Sequence, residues 1–184
     1  MSGMGLTATF SDSTVENAVW AATGPGAGAA VGTNFAVTEI GDTYPPNPGY
    51  IGPWVISNTS SANLVSLVIN AIPGDTVFDR TWGTSEPFGT PNSHEGYTFE
   101  VVSGPLLDIT ATYRNLVAVI GNGPVGDLYA TLDINLGAGL ATGESLRFNA
   151  DTDTVGIGVP APAAVWAGMV LLGGLGVARR IRRR

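Results

Sequence analysis

The stretch "GDLYATLDINLG", residues 126–137, decides the fold because its apolar side chains recur at every second position. These apolar positions are Leu128, Ala130, Leu132, Ile134 and Leu136. Strict alternation of this kind predicts a β-strand with one buried face, since a helix would bring apolar residues back every three or four positions.

Four further segments alternate in the same way and are rich in Thr, Val, Ile and Tyr, which favour strands. Their apolar positions are Leu6, Ala8 and Phe10; Val65, Leu67, Ile69 and Ala71; Tyr97, Phe99 and Val101; and Leu107, Ile109, Ala111 and Tyr113. The 26 glycines and 12 prolines separate these segments and disfavour long helices. The sequence therefore predicts an all-β body, an antiparallel β-sandwich or jelly-roll-like fold.

Residues 12–22, "DSTVENAVWAA", have two interpretations. In a helix, Ser13 would be the N-cap and Glu16 would stand at the third helical position. In a strand, Val19 and Trp20 would belong to the sheet. The sequence alone leaves both interpretations open.

Charge is unevenly divided along the chain. None of the 15 acidic residues lies beyond Asp153, and residues 1–159 contain three of the eight basic residues, which gives them a net charge of −12. Such a surface repels phosphate backbones, so we expect no nucleic-acid partner. The absence of cysteine from the sequence excludes a disulfide framework, a thiolate nucleophile and a Cys-based zinc site.

The C-terminal stretch "VPAPAAVWAGMVLLGGLGVARRIRRR", residues 159–184, joins an apolar segment to a basic cluster. The apolar segment, 163–178, would extend roughly 24 Å as a helix, against a hydrocarbon core of about 30 Å. The basic cluster consists of Arg179, Arg180, Arg182, Arg183 and Arg184. Arginines this dense do not pack in a core and follow the positive-inside rule. We therefore expect a C-terminal single transmembrane helix, with the body outside and the arginines in the cytoplasm.

This combination resembles the PEP-CTERM sorting domain of bacterial exported proteins, in a VPxPA-type variant that has Ala161 where Glu is usual. The resemblance implies processing by an exosortase, a membrane enzyme, at the element Val159, Pro160, Ala161 and Pro162, with the arginine cluster as the stop-transfer signal. Together with the β-sandwich that alternation predicts, this divides the chain into an extracytoplasmic body at 1–153, a linker at 154–162 and a transmembrane sorting tail at 163–184.

The resemblance also implies a location. The precursor would sit in the cytoplasmic membrane, and the mature protein would be at the cell surface or in the extracellular matrix. Parts of the body, "VFDRTWGTSEPFGTPNSHEGYTF", "GDLYATLDINL" and "LRFNADTD", are similar to the ectodomains that carry such tails, which implies no enzymatic activity.

Export requires an N-terminal signal, but "MSGMGLTATFSDS" has neither a basic n-region nor an apolar h-region. We expect that the natural chain begins upstream of this sequence. A protein inserted through its tail, with the body facing the cytoplasm, is the alternative.

The segment "FNADTDT", residues 148–154, is the best candidate for ion binding. On an extended strand Asn149, Asp151 and Asp153 would share one face, and Leu146, Phe148 and Ala150 would fill the other. Three such oxygen ligands could hold Ca²⁺. A solvated polar face is the alternative, and we expect no other cofactor.

Three other features could carry chemistry. "GNGPVG", residues 121–126, matches the dinucleotide pattern GxGxxG, but alternation follows where a helix is required, which favours a hairpin turn. His94, the only histidine, lies in a loop without the surroundings of a catalytic relay. The aromatic residues of the Pro- and Gly-rich loops could stack on sugars or cap the sandwich, and they are Tyr44, Tyr50, Trp54 and Trp82.

The sequence thus predicts an exported, non-catalytic surface or matrix protein that acts by adhesion or by association with extracellular polysaccharide. One alternative is an extracellular polysaccharide hydrolase, with Asp79 paired to Glu86 or Glu95. Another is a permanently anchored protein with a single membrane span.

Overall fold

The computed structural model describes residues 1–24, 27–41, 54–80, 96–106, 108–118 and 124–154. Within these ranges the chain forms thirteen strands and one 3-10 helix. In chain order they are β1 (Gly5–Phe10), β2 (Val15–Val19), β3 (Ala21–Gly24), β4 (Ala27–Val31), β5 (Phe35–Ile40), β6 (Trp54–Asn58), β7 (Leu64–Asn70), η1 (Ile72–Gly74), β8 (Thr76–Asp79), β9 (Glu100–Ser103), β10 (Thr110–Ala118), β11 (Pro124–Leu140), β12 (Ser145–Asn149) and β13 (Asp151–Thr154).

The strands form two antiparallel sheets, which confirms the predicted all-β class. Sheet A has the order β13-β8-β11-β7-β1-β2, with β10 also paired to β11. Sheet B has the order β3-β4-β5-β6-β12-β9. β10 pairs with one edge of β11. Because a strand has only two edges, β7 and β8 both pair with the other edge, each with a different part of β11. The 3-10 helix η1 lies in the connection between β7 and β8.

The buried face of β11 organises the core, as the alternation predicted. All five predicted positions are buried, and they are Leu128, Ala130, Leu132, Ile134 and Leu136. Leu132 and Ile134 pack in one cluster with sheet B residues such as Ile56 and Phe148, so both sheets cover the same core. At the other end of β11, Leu128 and Ala130 pack with residues of β8 and β10 in a second, smaller cluster.

Trp54 is the first residue of β6 and is fully buried. Its ring centroid lies 5.0 Å from that of Trp20 and 5.8 Å from that of Phe148, and its Nε1 donates a hydrogen bond to the Ala150 carbonyl at 3.0 Å. The interpretation of Trp54 as a loop ring available to sugars is therefore wrong. In the sequence, the Pro- and Gly-rich stretch before Trp54 favours a loop. It therefore gives no sign that a strand begins at Trp54 with the side chain facing inward.

The helical interpretation of residues 12–22 is also wrong, because β2 and β3 occupy this segment. Ser13 has a φ of 70°, which is not the extended conformation of a helix N-cap. The Glu16 carboxylate instead accepts hydrogen bonds from the backbone N–H groups of Thr33 and Asn34. Trp20 lies between β2 and β3 in the sequence, where the chain passes from sheet A to sheet B, and its side chain is buried.

The predicted buried face at Tyr97, Phe99 and Val101 is wrong in part. β9 begins only at Glu100 and all four of its residues are exposed, with Val101 at 39%. β9 is the edge strand of sheet B, so it has a neighbour on one side only. Phe99 still packs on the core, with its ring centroid 5.1 Å from that of Phe148.

The other predicted strands agree closely with the structure. Leu6, Ala8 and Phe10 of β1 are buried, as are Leu67, Ile69 and Ala71 on and just after β7. Val65 is only half-buried. Ile109, Ala111 and Tyr113 pack against the core while partly exposed, and Leu107 lies outside the described residues.

Residues 121–123 of the "GNGPVG" motif lie outside the described ranges. The next residue, Pro124, begins β11 and pairs with Ala118 of β10 in an antiparallel ladder. A dinucleotide fingerprint requires a helix at this point. The strand therefore excludes that reading and agrees with a hairpin connection.

None of the helices found in the described ranges is long and apolar enough to cross a membrane. The span predicted for residues 163–184 lies beyond those ranges.

Candidate functional site

The predicted ion-binding segment changes sheets in its middle. β12 ends in sheet B at Asn149, and β13 begins in sheet A at Asp151. Asn149, Ala150 and Asp151 are consecutive and all buried, so the alternation of inward and outward side chains stops here. The predicted placement of Asn149, Asp151 and Asp153 on one strand face is therefore wrong.

Two oxygen-bearing groups of this crossing are nevertheless buried. The Asn149 amide oxygen Oδ1 has no hydrogen-bond partner and its residue is 3% exposed. Asp151 is also buried, and it pairs in register with Asp79 of β8. The Asp79 side chain is fully buried. In the described part of the chain, no group of three or more His, Cys, Asp or Glu side chains is arranged to hold a metal ion. Calcium binding stays a prediction, without the strand geometry that suggested it.

A cavity of about 420 Å³ opens beside the edge strand β10, close to the segment that leads into β9. Its lining residues are Arg80, Thr98, Phe99, Ile109, Ala111, Thr112 and Tyr113. The Arg80 guanidinium carbon lies 5.8 Å from the centroid of the Tyr113 ring, within the range of a cation–π contact. This contact holds the cation at the cavity.

Tyr113 fixes the wall of the cavity. Its hydroxyl oxygen accepts a hydrogen bond from the Phe99 N–H at 2.7 Å, which ties the segment before β9 to β10. Burial raises the pKa of Tyr113 to about 12, so the phenol is neutral at physiological pH. The Tyr113 ring can therefore support Arg80 without adding a charge of its own.

Tyr97 lies near the same end of the sandwich and stays neutral for a similar reason. Burial, followed by its hydrogen bond to Glu100, raises its pKa to about 12. Its hydroxyl donates to the Glu100 carboxylate at 2.5 Å. Its backbone bridges β8 and β13, because its N–H donates to the Asp79 carbonyl and its carbonyl accepts from the Asp151 N–H.

The cavity presents mainly polar groups to a ligand. Arg80, Thr98 and Thr112 offer donors and acceptors for hydroxyl groups, and most of the accessible lining is polar. Residues 1–159 contain 15 acidic and three basic residues, so a polyanionic ligand would be repelled at long range. A neutral ligand would not meet this long-range repulsion.

Sequence reasoning missed the role of Arg80. The signal that could have found it is scarcity, since Arg80, Arg114 and Arg147 are the only basic residues of the body. Arg114 forms an ion pair with Asp133 at 2.7 Å. Arg80 instead follows a fully buried strand and lies over an aromatic ring, an arrangement that only the tertiary structure creates.

Several sequence-predicted residues lie outside the described ranges. They are Tyr44, Tyr50, Trp82, Glu86, His94, Glu95, the sorting residues Val159, Pro160, Ala161 and Pro162, and the stop-transfer residues Arg179, Arg180, Arg182, Arg183 and Arg184. The carboxylate pair of the hydrolase alternative therefore stays a prediction, with only its buried member, Asp79, described.

No family model, curated protein or solved structure matches the chain. The functional assignment therefore depends on the residues themselves.

Proposed function

We propose that this is an exported, non-catalytic surface or matrix protein whose β-sandwich body associates with extracellular polysaccharide. Its C-terminal tail would direct sorting through the membrane by an exosortase-like enzyme. The observation that carries this proposal is the order of three tail elements, Val159–Pro162, the apolar segment 163–178 and the terminal arginine cluster. The last described strand, β13, ends at Thr154, upstream of the first of these elements in the sequence.

The arginine cluster favours export of the body. Arginines next to an apolar segment stay on the cytoplasmic side, and the acidic body would then lie on the opposite side. An all-β sandwich with a polar cavity at a strand edge is suited to binding outside the cell.

Processing of the tail is tested by intact mass spectrometry of the protein recovered from its native cells. We expect the mature protein to end near Pro162 and to lack the arginine cluster. The double substitution Pro160→Ala and Pro162→Ala should retain the tail, because it removes the recognition element. Pro73→Ala, at an exposed proline of η1, is the matched control and should be processed normally. A wild-type protein that keeps its C-terminal arginines would instead support the permanently anchored alternative.

Polysaccharide binding is tested at Arg80. Arg80→Ala should weaken binding of a neutral polysaccharide by roughly 10- to 150-fold, since a hydrogen bond from a charged donor contributes roughly 1.5–3 kcal/mol. Affinity electrophoresis in gels that contain a neutral glucan, compared with a polyuronate, measures this directly. Arg147→Ala removes the same charge from an exposed position on β12 and should leave binding unchanged. If the glucan retards the Arg80→Ala and wild-type proteins equally, each relative to its own mobility in a gel without glucan, this site would be ruled out.

A further inference from the structure

The outward-facing side of sheet B carries no charged side chain on four neighbouring strands, β3 to β6. On β4, β5 and β6 the inward positions are buried, among them Ala30, Val37 and Ile56, and the alternate positions face outward, whereas all four residues of β3 are exposed. We call these outward positions outer face B, and they are Ala21, Ala27, Ala29, Val31, Ala36, Thr38, Ile40, Val55 and Ser57. Val31 and Ile40 are 70% and 78% exposed.

The opposite side of the molecule shows that this composition is not required by the fold. The outward positions of sheet A are mostly polar, and across paired strands they include Thr7, Thr9, Ser66, Val68, Thr110, Thr112, Asp133 and Asn135. This face also contains the Arg114–Asp133 ion pair. Both faces are built from antiparallel strands, but the positions of outer face B include only two polar side chains, Thr38 and Ser57, and no charged one.

We propose that outer face B is a contact surface between two copies of this chain. The body has a large net negative charge, so two copies repel except where their charges are absent, which is at this face. A positively charged partner would be attracted to the acidic surfaces instead. A second copy presents the same small-residue, mostly apolar and uncharged surface, and such sheets pack face to face with their side chains interdigitated.

The size of outer face B sets the strength of the contact. Four strands about 4.8 Å apart, each with about five residues of roughly 3.4 Å, cover about 320 Å² in projection. A stable interface takes about 800 Å² from each partner, so this contact belongs to the small and transient class. Self-association should therefore be weak and should depend strongly on local concentration. It goes beyond the proposed function and does not depend on processing of the tail.

Because the sequence contains no cysteine, a single introduced thiol is the only site that a thiol-specific cross-linker can join. Ala29→Cys places one thiol in the central row of outer face B, and Thr7→Cys places one in the central row of the sheet A face. The full-length chains are kept in mild detergent, treated with a short bis-maleimide and separated on denaturing gels. We expect Ala29→Cys to form several-fold more cross-linked dimer than Thr7→Cys. Association driven by the C-terminal tail would cross-link both variants equally and would overturn the proposal.

A charge substitution supplies the second test. Val31→Glu, added to Ala29→Cys, should abolish most of the cross-linking because it places like charges across the contact. Val19→Glu is the matched control, since Val19 is 67% exposed and lies on the edge strand of sheet A. It adds the same charge to the body and should leave cross-linking at the Ala29→Cys level. Equal losses for the two glutamate variants would mean that general repulsion, not this face, controls association. Either failure would leave the export proposal intact, because that proposal is tested by the mass of the mature protein.

Discussion

Asn58→Asp is expected to destabilise the protein by about 3–5 kcal/mol, the usual effect of leaving a buried charge without a partner. Asn58 is fully buried at the end of β6. Its side-chain Nδ2 donates to the carbonyl oxygens of Ala62 and Leu140, both at 2.8 Å. Its Oδ1 accepts from the Ser60 N–H at 2.8 Å. A carboxylate keeps only the last of these contacts and turns a negative oxygen toward two carbonyl groups.

The position of Asn58 in the topology explains why this loss should affect the whole domain. One of its carbonyl partners lies in the connection from β6 to β7, and the other ends β11. Its backbone N–H and carbonyl also pair with the connection from β11 to β12, through Glu144 and Gly143. Both connections pass from one sheet to the other, so a single amide links two of the crossovers.

Urea unfolding followed by tryptophan fluorescence measures the effect as a lower midpoint with an unchanged slope. Asn17→Asp is the matched control, because Asn17 is exposed and its Oδ1 only accepts a bond from the Thr7 hydroxyl. It should change the free energy of unfolding by less than about 0.5 kcal/mol. Burial would raise the pKa of the introduced carboxyl above its unfolded value, so the folded state would bind the extra proton. The deficit should therefore be smallest at acid pH and should grow as the pH rises through that raised pKa. A deficit that is the same at every pH would contradict the buried-charge explanation.

Trp54→Ala is expected to cost about 3–5 kcal/mol of folding free energy, as large-to-small changes of buried aromatic residues do. The ring joins the Trp20 and Phe148 rings in the core, and its Nε1 satisfies the carbonyl of Ala150, where the chain passes between the sheets. The packing here is tight on both sides of Trp20. A Cβ atom added at Gly28 would lie only 2.2 Å from the Trp20 Nε1. Neighbouring groups therefore have little freedom to fill the space that the missing ring would leave.

Thermal unfolding monitored by far-UV circular dichroism measures this prediction. Trp54→Phe retains a ring but loses the hydrogen bond to the Ala150 carbonyl, and it should cost only about 1–2 kcal/mol. Both variants should bind polysaccharide as the wild type does while they are folded, because Trp54 is fully buried. A stable Trp54→Ala protein that had lost polysaccharide binding would restore the loop interpretation of this residue.

The candidate cavity could not be predicted because its residues come from separate parts of the chain. Arg80 follows β8, Thr98 and Phe99 precede β9, and Tyr113 lies on β10. In the sequence Tyr113 is one inward position of an alternating strand, and nothing local indicates that a cation will lie over its ring. The surface pattern of sheet B was likewise hidden, because β4 and β5 have apolar side chains on both faces and show no alternation of polarity.

The sequence by itself determined the all-β class and the central strand β11, because alternation between buried and exposed side chains is a local property of an extended chain. It also determined the charge asymmetry between an acidic body and an arginine-rich end. Only the tertiary structure decided that the chain passes directly from one strand to the next in the other sheet at Trp20 and Ala150, and therefore which side chains are buried around those points. The physical reason is that a residue at such a crossing packs against both sheets at once. Its burial therefore depends on strands that are distant in the sequence, and not on its odd or even position within an alternating strand.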